Sequence, residues 1–296
     1  MPALTPDATM PVPAVRDAAG SADLIAFARR HPTLLIGAVL LFIITLAAIL
    51  APWIARDPIA FEPINRLKSP SAEFWLGTDS LGRDVFSRMI HGARISLLVG
   101  LTVACISVLV GLVVGLLAGY FKIVDALVMR LMDGIMAIPS ILLAIALVAL
   151  LGASVQVVII AIAVPEIPRV TRLVRSVVLS VRDLPYVDAA RSNGTRVLKL
   201  LRRHVLPSTV APLVVQATYI CASAILTEAG LSFLGAGTPP EYPTWGNMIA
   251  GSRLYLQIAP WTIFAPGICL ALVVLSVNLL GDGLRDRLDP RLLRSM

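Results

Sequence analysis

From Gly134 to Pro165 the chain carries no charged residue. A helix needs only ~20 apolar residues to cross the hydrocarbon of a bilayer. The run is too long for one crossing, and Gly152-Ala153-Ser154 is its natural break. Similar apolar runs occur elsewhere, and only 15% of all residues are charged. Soluble domains carry about a quarter. Mean hydropathy is +0.86. The expected fold class is all-α: a polytopic membrane protein with six transmembrane helices.

The sequence places those spans at Thr33 to Ile54, Ile95 to Phe121, Asp125 to Leu151, Val155 to Val174, Val210 to Ala229 and Ala259 to Leu280. Residues 1–32, rich in Ala, Pro and Asp, read as a disordered cytoplasmic tail. They lack the basic start and cleavage site of a removed signal peptide. Residues 33–93 form the first span and a polar outer loop. Within that loop, Arg83 to Arg94 reads as an amphipathic helix lying along the outer interface. Residues 94–283 form the core, with an inner loop at 176–207. Residues 284–296 form an inner tail.

Charge distribution orients this arrangement. With the N-terminus inside, 18 of the 25 Lys and Arg fall on inner segments and 7 on outer ones. Cytoplasmic loops carry such an excess. That rule accounts for the net charge of +7 without nucleic acid as a partner. Cys105, Cys221 and Cys269 are scattered through apolar runs and read as packing residues.

Energy-yielding chemistry is missing. There is no G-x-x-x-x-G-K-[ST] to cradle phosphates. No H-E-x-x-H or C-x-x-C occurs, and His31, His91 and His204 stand far apart. The chain is not expected to be an enzyme, nor to bind a cofactor or metal of its own.

The inner stretch PYVDAARSNGTRVLKLLRRHVLP, Pro185 to Pro207, is the longest charged segment after residue 94. Asp183 can cap a first helix with Pro185 in its first turn. Asn193-Gly194 can stop it. Thr195 can cap a second helix to Leu206, with Arg196, Lys199 and Arg203 on one face and Val197, Leu201 and Val205 on the other. Pro207 then marks the turn into the fifth span. Asp188 to Gly194 reads as the part that docks a partner, and Arg196 to Arg203 as the part held against the membrane. The plainer alternative is a basic segment touching anionic lipid.

Two acids and one pair complete the candidates. Glu228 stands near membrane depth, where ionisable groups are costly and usually functional. It is either a residue of a translocation pathway or a cap for the loop that follows. Arg130 and Asp133 are three apart and can pair on one helix face, as a structural pair or a gate. Glu166 can partner Arg169 or Arg172.

Asp188-Ala189-Ala190, Gly194 and His204-Val205-Leu206-Pro207 resemble the EAA loop of ABC importer permeases. LGTDSLGRDVFSRMIHGARISL (76–97), MRLMDGIMAIPSILLAIAL (129–147) and LTEAGLSFLGAGTPPEYPTWGNMI (226–249) resemble the second permease subunit of dipeptide, oligopeptide and nickel importers. The likeness covers residues 33 to 290. Asp188 stands where Glu is commoner in that family, Ser192-Asn193 where Ala-Leu is frequent, and Pro165-Glu166-Ile167-Pro168 where a Trp often occurs.

The resemblance implies a type I (MetI-like) importer permease in a bacterial inner membrane. It implies a homologous second permease, two cytoplasmic ABC ATPases using ATP and Mg, and an extracytoplasmic substrate-binding protein. Tyr186, Asp188, Ala189, Ala190, Gly194, His204 and Pro207 would form the ATPase-coupling loop. The implied substrate is a di- or oligopeptide, with nickel or glutathione as alternatives. A rival class is an ATP-independent secondary transporter, against which the chain shows no clear inverted repeat. A further rival is a membrane scaffold with no pathway.

Overall fold

The computed structural model describes residues 32–288. The tail expected over 1–32 therefore lies outside the described residues but for Pro32, as does the end of the inner tail beyond Leu288. Among the described residues there are helices and no strand.

Helix α1 is Pro32–Ile54, α2 Val85–Tyr120, α3 Lys122–Met136, α4 Ser140–Leu151 and α5 Val155–Val181. The inner loop supplies α6, Pro185–Ser192, and α7, Val197–Leu200. A π turn over Leu201–Val205 joins α7 to α8, Leu206–Phe233. Helix α9, Trp245–Ser252, lies in the loop before α10, Trp261–Leu288.

Two expectations are corrected, and one span is sharply bent. The separate interfacial helix over 83–94 does not exist. Asp84 caps α2 by accepting from the Ser87 N–H at 3.0 Å, and one helix of 36 residues runs from there to Tyr120. At 1.5 Å per residue it is about 54 Å long, well beyond the ~30 Å of bilayer hydrocarbon. The third span is bent at its proline. Pro139 has no N–H to offer and disfavours the helical region at Ile138, and α3 and α4 meet at 88°. The fifth span does not begin after a turn at Pro207. Val197–Phe233 runs as one helical segment of 37 residues.

Four helices are long and apolar enough to cross a membrane: α1, α2, the segment Val197–Phe233, and α10. The bent pair α3–α4 makes a fifth. The expected six exceeds this by α5. Its 27 residues include Glu166, Arg169, Arg172 and Arg175, too many charges to count with the rest.

Lipid tails are as apolar as leucine, so helices in a bilayer associate by close packing. Helices α2 and α5 show how. Gly111, Gly115 and Gly119 recur every four residues along α2 and meet Val170, Val174 and Val178 of α5. A Cβ built on Gly115 would lie 2.7 Å from the Thr171 carbonyl and from Val174 Cβ. Val170, Val174 and Val178 are fully buried there. Pro165 and Pro168 sit inside α5 without ending it.

Candidate functional site

Two places concentrate function-bearing residues: the loop between α5 and α8, expected on the inner side, and a buried carboxylate near the C-terminal end of α8.

In the inner loop, Leu184 rather than Asp183 occupies the cap position of α6, and no side chain caps it. Asp183 instead lies 3.5 Å from Arg182. Pro185 stands in the first turn, where its missing N–H costs nothing. Asp188 sits near the positive end of the helix dipole, 3.2 Å from Arg191. The stop is a Schellman closure. The Gly194 N–H donates to Arg191 O at 3.0 Å and the Thr195 N–H to Ala190 O at 3.1 Å. Gly194 has φ +73°, the left-handed backbone this closure requires.

A buried anchor holds the helix. Val187 is fully buried beside Leu200, Leu201 and Val205 in the main core, while Tyr186, Asp188 and Ala189 are exposed and Ala190 is half-buried. Tyr186 Oη donates to the His204 carbonyl at 3.3 Å, and the two rings stack at 6.4 Å. The second helix is narrower than expected. Its cap position is Arg196, not Thr195, and Val197 is exposed whereas Leu201 and Val205 are buried. Arg196, Lys199 and Arg203 are exposed. Within the segment 176–207, the residues outside helices are 182–184 and 193–196.

Pro207 lies inside the continuous segment. It cannot donate to the Arg203 carbonyl, and its ring would crowd that carbonyl in a regular α-helix. The π turn just upstream takes up the misfit, with the Leu206 N–H reaching back five residues to Leu201 O. Such turns recur at functional sites.

The ion pairs of α5 were not legible as a set. Arg172 pairs with Asp133 of α3, and Arg175 pairs through two nitrogens with Asp125. Arg182 donates to the Gly119 carbonyl at 2.9 Å. The expected pair of Arg130 with Asp133 is thus replaced. Arg130 is exposed and makes no ion pair or hydrogen bond among the described residues, because the Asp133 carboxylate turns to α5. Glu166 does pair with Arg169, at 3.0 and 3.2 Å. The missed signal was spacing: Arg172 and Arg175 meet Asp133 and Asp125 on an antiparallel neighbour.

At the outer end, Glu228 is 1% exposed. Its Oε1 accepts from Ser232 at 2.9 Å and from Thr238 and Thr244 at 3.0 Å. Thr244 also caps α9, and Asn247 Nδ2 donates to Thr238 Oγ1 at 3.0 Å. The carboxylate therefore faces the loop 234–244 and ties it to α8 through hydroxyls, not through the backbone N–H groups expected of a cap. Among the described residues, no group of His, Cys, Asp and Glu has the arrangement to hold a metal ion.

Residues 87–294 match the family of binding-protein-dependent transport system inner membrane components. The chain belongs to that family. Residues 27–70 match the N-terminal transmembrane domain of oligopeptide transport permease C. This permease is 59% identical over 268 residues to "Probable peptide ABC transporter permease protein y4tQ" of Sinorhizobium fredii, covering 90% of this chain and 92% of that one. It is 43% identical to the dipeptide transport system permease protein DppC of Alkalihalophilus pseudofirmus, over 98% and 97% of the two chains. It is 42% identical to the glutathione transport system permease protein GsiD of Pectobacterium atrosepticum, over 90% and 89%. A chain of the inward-facing MetNI methionine ABC transporter superposes with a TM-score of 0.54 at 18% identity, covering 69% of this permease and 97% of that chain. The permease thus has the type I importer fold.

Proposed function

We propose that this permease forms half of the pathway by which an ATP-driven importer carries di- and oligopeptides across a bacterial inner membrane. Both termini lie in the cytoplasm. A homologous permease supplies the other half, and a substrate-binding protein delivers peptide at the outer loops. Two ABC ATPases bind and hydrolyse ATP with Mg and grip the chain at α6.

The observation that carries this reading is the build of α6. Val187 fixes it to the core from one side, the closure at Gly194 sets its length, and Tyr186, Asp188 and Ala189 stand free on the other side. A short helix anchored and displayed in this way is suited to seat in another protein's groove. His204 and Pro207 serve the elbow behind it, not the docking face. The test is co-purification of the ATPase with the full complex. The ATPase is retained by the wild type and lost in Gly194→Trp. Proton-driven uptake by this chain without an ATPase would overturn the proposal.

A second reading keeps the architecture and changes the cargo to glutathione, favoured by the likeness to the glutathione permease. Competition of labelled dipeptide uptake by unlabelled glutathione separates the two. Strong competition selects glutathione, and none selects peptides.

A further inference from the structure

The outer end of α2 carries three arginines, and they are treated differently. Arg83, just before the helix, bonds to Asp79 at 2.7 Å, and the buried Arg88 lies 3.7 Å from the same carboxylate. Arg88 also donates to the Pro58 carbonyl at 3.1 Å. Arg94 is exposed and makes no ion pair or hydrogen bond among the described residues. His91, one turn earlier, uses Nδ1 on the Ser87 carbonyl at 3.0 Å, and its Nε2 has no partner among the described residues.

His91 and Arg94 line a groove between the outer ends of α2 and α5, open on one side and about 470 Å³ in volume. Ile95, Leu98 and Val155 give it apolar walls, and Tyr242 adds an aromatic edge. No acid lines it. The two acids adjoining the lining in sequence are Asp57, which turns its Oδ1 to the Ile59 N–H at 2.9 Å, and Glu241, which is exposed beside Tyr242.

Below Arg94 the exposed residues of α2 continue as one stripe: Leu98, Leu101, Leu109, Val113 and Leu117. From Leu98 to Leu117 the stripe is about 28 Å long, close to the ~30 Å of bilayer hydrocarbon. A cation and an aromatic ring thus sit at the top of an apolar face of membrane length, where interfacial anchors belong.

We propose that this groove binds the phosphate headgroup of an outer-leaflet phospholipid. The phosphodiester sits on Arg94 and His91, and the acyl chains lie against Leu98 and Leu101. A peptide brings a carboxylate but no paired chains to cover the stripe. An acidic segment of a partner protein would cover it without any requirement for lipid.

The test uses the complex purified in detergent and stripped of lipid, with dilauroyl phosphatidylglycerol added back. Wild type and Arg94→Lys are expected to gain thermal stability in proportion to added lipid. Arg94→Gln, an exposed substitution that leaves folding intact, needs about fivefold more lipid for the same gain, and Arg94→Gln with His91→Gln needs more still. Equal titrations for wild type and Arg94→Gln would overturn the proposal. So would the same gain from inorganic phosphate or glycerophosphate alone, which marks a free-anion site, or loss of the partner permease from Arg94→Gln complexes, which marks a protein interface.

Discussion

Asp125 near the start of α3 and Arg175 on α5, fifty residues apart in sequence, form a two-pronged ion pair in which Arg175 Nη2 lies 2.7 Å from Asp125 Oδ2. Helix α3 presents only Met132 as a buried residue, so charge does much of the work of holding it to α5. Asp125→Asn or Arg175→Gln is expected to cost roughly 1 kcal/mol and lower the melting temperature of the detergent-purified protein by about 2–4 °C. The double variant should lose little more than either single one, as partners in one pair do. Full additivity would show that the two residues act separately.

The α2–α5 contact is steric where the previous one is electrostatic. Gly115→Val places two methyl groups where the Thr171 carbonyl and Val174 already stand. Yield of folded protein is expected to fall severely, since a fully packed helix pair cannot separate at one turn without losing the turns beside it. Gly134→Ala meets nothing within 4 Å and serves as the control, with normal yield. Normal yield from Gly115→Val would refute the close approach.

At Gly194 space is free and the backbone is the constraint. Nothing lies within 4 Å of a Cβ placed there, yet φ is +73°. Gly194→Ala carries a penalty of roughly 1–2 kcal/mol, and Gly194→Asn less, since asparagine tolerates this conformation. Uptake and ATPase retention should therefore rank wild type, Asn, Ala, with overall protein level unchanged. Equal activity for Ala and wild type would remove the closure from the coupling function.

Glu228 separates two roles by two substitutions. Glu228→Gln keeps an oxygen acceptor for the three hydroxyls, and near-normal yield and uptake are expected. Glu228→Leu removes the shared acceptor of Ser232, Thr238 and Thr244, leaving Thr238 and Thr244 only each other and Asn247 as partners, at about 1–3 kcal/mol for an unsatisfied buried hydroxyl, and limited proteolysis should then cut the loop 234–244. Uptake lost in Glu228→Gln at normal protein level would instead assign the carboxylate to the translocation pathway.

The membrane class, the helical content and the stop of α6 were readable because each rests on local chemistry: apolar runs of span length, and an Asn-Gly pair that accepts a left-handed turn. What failed to show was continuity and partnership. Pro207 looked like a boundary, since proline usually ends helices, and a π turn cannot be foreseen from composition. Asp84 falls inside the interfacial helix expected over 83–94, although its side chain is what starts the long helix. The partner of Asp133 was sought on its own helix, at Arg130, because sequence reveals neighbours one turn away and hides those on an adjacent rod. The hydroxyls around Glu228 lie up to 16 residues downstream, and Ser and Thr give no signal of where their donors point.

The unbroken segment from Val197 to Phe233 has a mechanical consequence. It starts beside the exposed arginines of the inner loop and ends one turn past the carboxylate that clamps the outer loop. The segment is about 55 Å long, with the π turn, Pro207 and Pro212 all in its first half, and a tilt of it displaces both of its ends. Whatever seizes the π-turn end therefore also bears on the loop that Glu228 holds at the far end. By the same thermodynamic reciprocity, a ligand gripping that outer loop alters how firmly the elbow is held within.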